Sequence, residues 1–212
     1  LRKLYANKIV GVHAESTFSA GAMGLGNYVA SHLMWNLNLN DQALIAEWYD
    51  KAFGPAQAPM KRMMERWANG YRPISAELAA SYQDIEEAER LAAGKPEIIA
   101  RIDDYARYLH YLRLRVELIN AAIGQERKQK ASELALHLFN INDSRMVGTT
   151  RAFDLLAYRG YDSLKEEFHL HNPSKSDAPD GPGWANVHAL THNEIIALIT
   201  DGLSKYKQDF TI

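Results

Sequence analysis

Apolar residues recur at helical spacing along most of the chain. Leu25, Tyr28, Val29 and Leu33 share one face of a first helix, with Trp35 near its end. Asn40 stands where an N-cap belongs, ahead of Leu44, Ile45, Trp48 and Tyr49, and Gly54-Pro55 stops this second helix. Pro55 also suits the first turn of a third, where Met60, Met63, Met64 and Trp67 form a stripe that reads as core and runs to Gly70. A fourth helix is predicted over about residues 75–93, with Leu78, Tyr82, Ile85 and Leu91 inward, and "GKP" at its end. The longest helix starts at Pro96; its Ile102, Tyr105, Leu109, Leu112, Val116, Ile119 and Ile123 follow a heptad seam, read as the spine of a bundle rather than a coiled coil. A sixth segment, from 126 to about 146, turns Ala131, Leu134, Leu138 and Ile141 inward, and helical character resumes at Phe153, Leu155 and Leu156. Residues 161–190 lose the period and carry several prolines and glycines, so they read as irregular. "THNE" at 191–194 then has capping-box spacing before Ile195, Ile196, Leu198, Ile199 and Leu203.

One stretch breaks the helical pattern. Ile9, Val10, Gly11 and Val12 form a short apolar run followed by a loop with glycines at 21, 24 and 26, which predicts a strand over residues 8–12. A lone strand leaves its backbone groups unpaired, and the rest of the sequence supplies no partner. The fold expected is mainly α: a multi-helix bundle preceded by a single strand resembling the last strand of an incomplete (β/α) barrel, an N-terminal portion having been removed. The expected organisation is strand and loop over 1–26, bundle over 27–160, irregular segment over 161–190, and a helix with its tail over 191–212.

Composition narrows the classes of function. Among 212 residues, 24 basic and 26 acidic side chains are well mixed and leave a formal net charge of −2, which gives no electrostatic footprint for nucleic acid or an anionic membrane. No apolar run is long enough to span a bilayer. The absence of cysteine excludes thiolate chemistry and a disulfide framework, and does not fix the compartment.

Residues 11–56, "GVHAESTFSAGAMGLGNYVASHLMWNLNLNDQALIAEWYDKAFGPA", resemble the junction between the catalytic barrel and the helical C-terminal domain of α-glucuronidase-type glycoside hydrolases. A related domain of unknown function in bacterial proteins assigned to glycoside hydrolysis is closer still. The likeness runs through Asn27, Tyr28, Leu33, Trp35, Asn36, Asn38, Leu39, Ile45, Glu47, Trp48, Tyr49, Phe53 and Gly54, and departs from the glucuronidases at "HAESTFSAG". It implies the C-terminal portion of a glycoside hydrolase, a carbohydrate partner, an upstream barrel in the same protein and a periplasmic or extracellular location; a homodimer is a further arrangement it allows. The catalytic acids of such enzymes come from earlier strands, so no hydrolysis is expected of this chain alone. The other reading is a non-catalytic helical binding or scaffold module of a polysaccharide-processing protein.

Candidate site residues follow from the strand. His13 and Glu15 lie two apart, so an extended backbone points both to one side, where each reaches a sugar hydroxyl. Hydrolysis of the usual kind needs two carboxyl groups, and Glu15 is the one acid in such a position; it is assigned, with His13, to substrate binding rather than catalysis. The loop glycines are expected to let the backbone pass close to substrate. His169-x-His171 and His188-x3-His192 have spacings compatible with a metal, but no acidic residue completes a ligand signature and ordinary loop and helix-end histidines are the reading preferred. No metal or cofactor is called for. Asn142 and Arg145, in the polar stretch 139–151, either line a cleft or belong to a buried hydrogen-bond network at a kink, the latter preferred. Trp35, Trp48 and Trp67 are expected in the core, and Trp184 is the better candidate for an exposed ring.

Overall fold

The computed structural model describes residues 1–8, 21–70, 74–149, 152–153, 156 and 185–210. They form a helical bundle: α1 (Arg2–Ala6), α2 (Gly24–Trp35), α3 (Asp41–Phe53), α4 (Gln57–Ala68), α5 (Ser75–Leu91), α6 (Pro96–Asn120), α7 (Gln125–Asn140) and α8 (His192–Lys205). There is no strand among the described residues. Of the predicted strand only Lys8 is described, in a turn with φ of 63° after α1; positions 9–12 lie outside the described residues, as do His13, Glu15, His169, His171 and Trp184.

The caps expected from sequence set several helix ends. Asn40 Oδ1 accepts from the Ala43 backbone N–H at 3.1 Å and starts α3. Gly54, at φ of 47°, ends α3, and a short 3-10 turn over Gly54–Ala56 carries Pro55 into α4. Pro96 occupies the first turn of α6, where its missing N–H costs no hydrogen bond. At α8 the box is complete: Thr191 Oγ1 accepts from the Glu194 N–H, and Glu194 Oε2 accepts from the Thr191 N–H at 2.8 Å.

The core sits where α5 and α6 face each other, with α3, α4, α7 and α8 packed around them. Met60, Met63, Leu78, Tyr82, Ile85, Ile102, Leu109, Leu134, Leu138 and Ile195 are all buried, and each large apolar side chain removed from water contributes about 1.5–3 kcal/mol. At the α4–α5 contact, buried Asp84 accepts from Arg62 at 2.8 Å and from Arg66 at 2.6 Å, and Trp67 donates to Ser81 Oγ at 3.1 Å. Trp48 and Trp67 pack at the core edge, Trp67 against Tyr105 and Tyr108.

Four expectations need correction. Trp35 is 93% exposed. It stands two residues beyond Leu33, the buried residue of α2, and two helical steps of 100° carry it to the far side. The heptad seam is buried from Ile102 to Leu112, then leaves the core: Ile119 is exposed while Leu118 beside it stays buried, because a helix of about 3.6 residues per turn drifts off a strict heptad line, and Ile123, also exposed, lies beyond the end of α6 at Asn120. A helix pair supercoiled along the whole seam is therefore excluded. α7 ends at Asn140, short of the predicted 146, where the N–H groups of Asn142 and Ser144 bond the carbonyls of Phe139 and Ile141 in tight turns. Gly24 and Gly26, expected in the loop, lie in the first turn of α2, while Gly21 packs so closely that a Cβ there would meet Met146 Sδ at 2.8 Å and the Ser144 and Arg145 carbonyl oxygens at 3.3 Å.

Candidate functional site: a histidine-lined cleft and a three-helix ligand triad

A cleft of about 360 Å³ opens between α6, α7 and α8. Helical spacing assembles its walls. His110, Arg113, Leu114 and Glu117 repeat at three and four residues along α6, and Lys130, Glu133, His137 and Asn140 do the same along α7, so each set lies on one face. Leu198 and Asp201 close the cleft from α8, and Leu190 from the preceding segment.

The two imidazoles are buried with centroids 4.6 Å apart and rings at 71°. His137 Nε2 lies 3.0 Å from the Arg107 carbonyl oxygen. A carbonyl only accepts, so Nε2 carries the proton and Nδ1 is left with its lone pair. Burial pushes the His137 pKa down to about 4, against the pull of that hydrogen bond. Burial, then the neighbouring His137 and Arg113, also hold His110 well below its ordinary range. Both rings are neutral at pH 7, and His110 Nδ1 is buried with no hydrogen-bond partner.

Charge at the rim is balanced. Glu117 accepts from Arg113 at 2.7 Å, from Lys130 at 3.0 Å and from Lys205; Arg113 also pairs with Asp201 at 2.6 Å, and Lys130 with Glu133 at 2.7 Å. Burial alone would raise the Glu117 pKa, but hydrogen bonds from Lys205, Arg113 and Lys130 outweigh it and bring it to about 2. Glu117 therefore holds no proton at neutral pH and cannot serve as a general acid. With three cations set against three carboxylates and two neutral rings, the cleft suits an uncharged polar ligand better than a polyanion.

A second group lies nearer the start of α8. Glu89 of α5, Asp103 of α6 and His192, the first residue of α8, bring one ligand atom each within 4.8 Å of one another. His192 Nδ1 lies 3.0 and 3.1 Å from the two Asp103 oxygens. Glu89 Oε1 is buried without a hydrogen-bond partner, and burial, then the Asp103 charge, push the Glu89 pKa up to about 7. Sequence reasoning singled out His192 but not its carboxylate neighbours, because Asp103 is 89 residues away. His188, its proposed companion, turns instead to Glu194 at 2.7 Å. The cleft was missed for the same reason, although the polar residues facing one side of α6 and α7 were a usable signal.

Asn142 and Arg145 are exposed and stand apart from both groups. Asn142 Oδ1 accepts from buried Thr149 Oγ1, and the Arg145 carbonyl accepts from the Gly21 N–H at 3.1 Å. They form a hydrogen-bonded turn at the surface, not the buried network preferred from sequence. No helix among the described residues is long and apolar enough to cross a membrane. The chain matches no family model, no curated protein and no solved structure.

Proposed function

We propose that the chain is the helical C-terminal part of a glycoside hydrolase, supporting a catalytic barrel that precedes it and contributing a wall of the carbohydrate cleft through residues such as His13 and Glu15. Catalytic acids in this reading come from the barrel. One observation supports it most: α2 is rich in apolar residues, yet Leu33 is the residue it buries, and its end presents Met34 at 58% and Trp35 at 93% exposure. α1 stands beside this end, where Arg2 donates to the carbonyls of Leu37 and Leu39, and it adds Tyr5 at 66% exposure. Large apolar side chains gathered at one end of a domain mark a surface made to be covered, and the barrel joins the chain at this end in the resembling enzymes.

The test compares Trp35→Ser in two settings. In residues 1–212 alone the substitution should leave the melting temperature unchanged, since the ring is in water. In the protein that includes the barrel it should lower both the melting temperature and kcat/KM on the glycoside accepted. Equal melting temperatures in both settings would overturn the reading.

The alternative, a non-catalytic helical binding module, is favoured by the neutral cleft beside His110 and His137. Saturable binding of an uncharged oligosaccharide to residues 1–212, lost in His110→Phe, would select it. Carboxylate-bearing strand-helix repeats upstream would select the hydrolase.

A further inference from the structure

Glu89, Asp103 and His192 belong to three helices that pack on one another, α5, α6 and α8, and bring two carboxylates and an imidazole together. Asp103 is 7% exposed, and Glu89 Oε1 is fully covered and accepts no hydrogen bond. No lysine or arginine forms an ion pair with either carboxylate among the described residues. The contrast with Asp84, which holds two guanidinium groups, and Glu117, which holds three cations, is sharp. Here two carboxylates face one imidazole. A buried carboxylate oxygen without a donor, beside a second carboxylate and with one imidazole to balance the two, is costly, and a divalent cation supplies what is missing.

From this geometry we infer that Glu89, Asp103 and His192 form a binding site for a first-row divalent metal ion, with zinc the best match. Each residue offers one ligand atom and the three lie within 4.8 Å of one another, so small side-chain rotations bring them to a common centre at the roughly 2.0–2.2 Å distances of zinc–nitrogen and zinc–oxygen bonds. The imidazole disfavours magnesium and calcium, which take oxygen ligands, and the absence of a thiolate disfavours copper(I). For Nδ1 to ligate, the ring is neutral with its proton on Nε2, so the proton lying between Nδ1 and Asp103 moves to Nε2 by way of solvent, or leaves to solvent if the ring was doubly protonated, and the Nδ1 lone pair faces the metal. The His192 side chain is 45% exposed, so the ion enters from solvent on that side. Three protein ligands leave a tetrahedral position for water, an arrangement typical of reactive rather than purely structural zinc. The site ties α8 to α5 and α6.

The experiment is titration of metal-free residues 1–212 with zinc chloride by isothermal calorimetry, with cobalt(II) absorption as a second readout of the ligand set. The expected result is one site whose affinity falls at least about tenfold in Glu89→Gln and in His192→Ala, since even outer-shell partners of metal ligands cost that much. The cobalt spectrum should change in both variants. His188→Ala, which alters an exposed histidine of the same segment, should bind as the parent does. Circular dichroism of each variant confirms the fold, and Glu89→Gln nearly preserves shape. No binding at millimolar zinc overturns the site. So does binding that is indifferent to Glu89→Gln and His192→Ala, which would place the ion on other histidines.

Discussion

Gly202 of α8 lies against the face of Tyr82 on α5, so close that a Cβ at 202 would come within 3.0 Å of three ring carbons. Tyr82 is fully buried and has no room to withdraw. In an open helix, glycine to alanine gains about 1 kcal/mol. Here Gly202→Ala is expected to destabilise by about 1–2 kcal/mol, because overpacking typically costs about 1–3. Urea denaturation measures it, and a Tyr82→Leu background should reverse the sign. A rise in stability from Gly202→Ala in the parent chain would show that the helices separate freely.

Asp84 joins α4 to α5 through Arg62 and Arg66. Asp84→Ala should cost about 2–4 kcal/mol, below the full figure for a buried pair, because Arg62 is half exposed and can return to water. A loss under about 0.5 kcal/mol would mean that the contact behaves like a surface ion pair.

The buried imidazoles give stability a pH dependence with a definite sign. The folded pKa of His137 is depressed from 6.5 to about 4, so the unfolded chain binds more protons between those values. The His137 contribution is then complete above about pH 6.5 and is lost as the pH drops toward 4, by up to about 3 kcal/mol. His110 acts in the same direction. Glu117, depressed from 4.5 to about 2, extends the loss to lower pH. Denaturation midpoints between pH 7.5 and 4.5 test this, and His137→Gln should flatten the slope. Glu89 and Asp104, raised to about 7 and about 6, gain stability as the pH falls and oppose the histidines in the parent chain, so the difference between parent and His137→Gln carries the test: an unchanged slope in His137→Gln would exclude a neutral buried ring.

Leu112 and Ile119 sit one heptad apart on α6 with opposite exposure, 8% against 64%. Leu112→Asp should destabilise by several kcal/mol, roughly 3 or more, by placing an unpaired charge in the core. Ile119→Asp should change stability by no more than about 0.5 kcal/mol. Equal effects would mean that the seam stays buried to its end.

Helix existence was legible wherever a local signal and the apolar period agreed. Asn40, Pro96 and the Thr191/Glu194 box each act within four residues, and the short range of capping makes such signals readable. What was not legible depended on neighbours. Trp35 and Ile119 carry the hydrophobicity of core residues, but which face of a helix is covered depends on where its neighbours pack. Glu89, Asp103 and His192 meet across three helices, and their sequence separations hold no trace of that meeting. The predicted strand and its His13–Glu15 pair fall on residues outside those described, so the sequence evidence for them stands as it was.

The position of α8 has a consequence for synthesis. Ile195, Ile199 and Tyr206 fill the surface between α5 and α6, segments that leave the ribosome about a hundred residues earlier, some five to twenty seconds before at typical elongation rates. During that interval the Tyr82 side of α5 has no cover. The nascent chain is left to wait, partly assembled, with an apolar groove open to chaperones and to other growing chains, and a break in translation before residue 192 would release that open form.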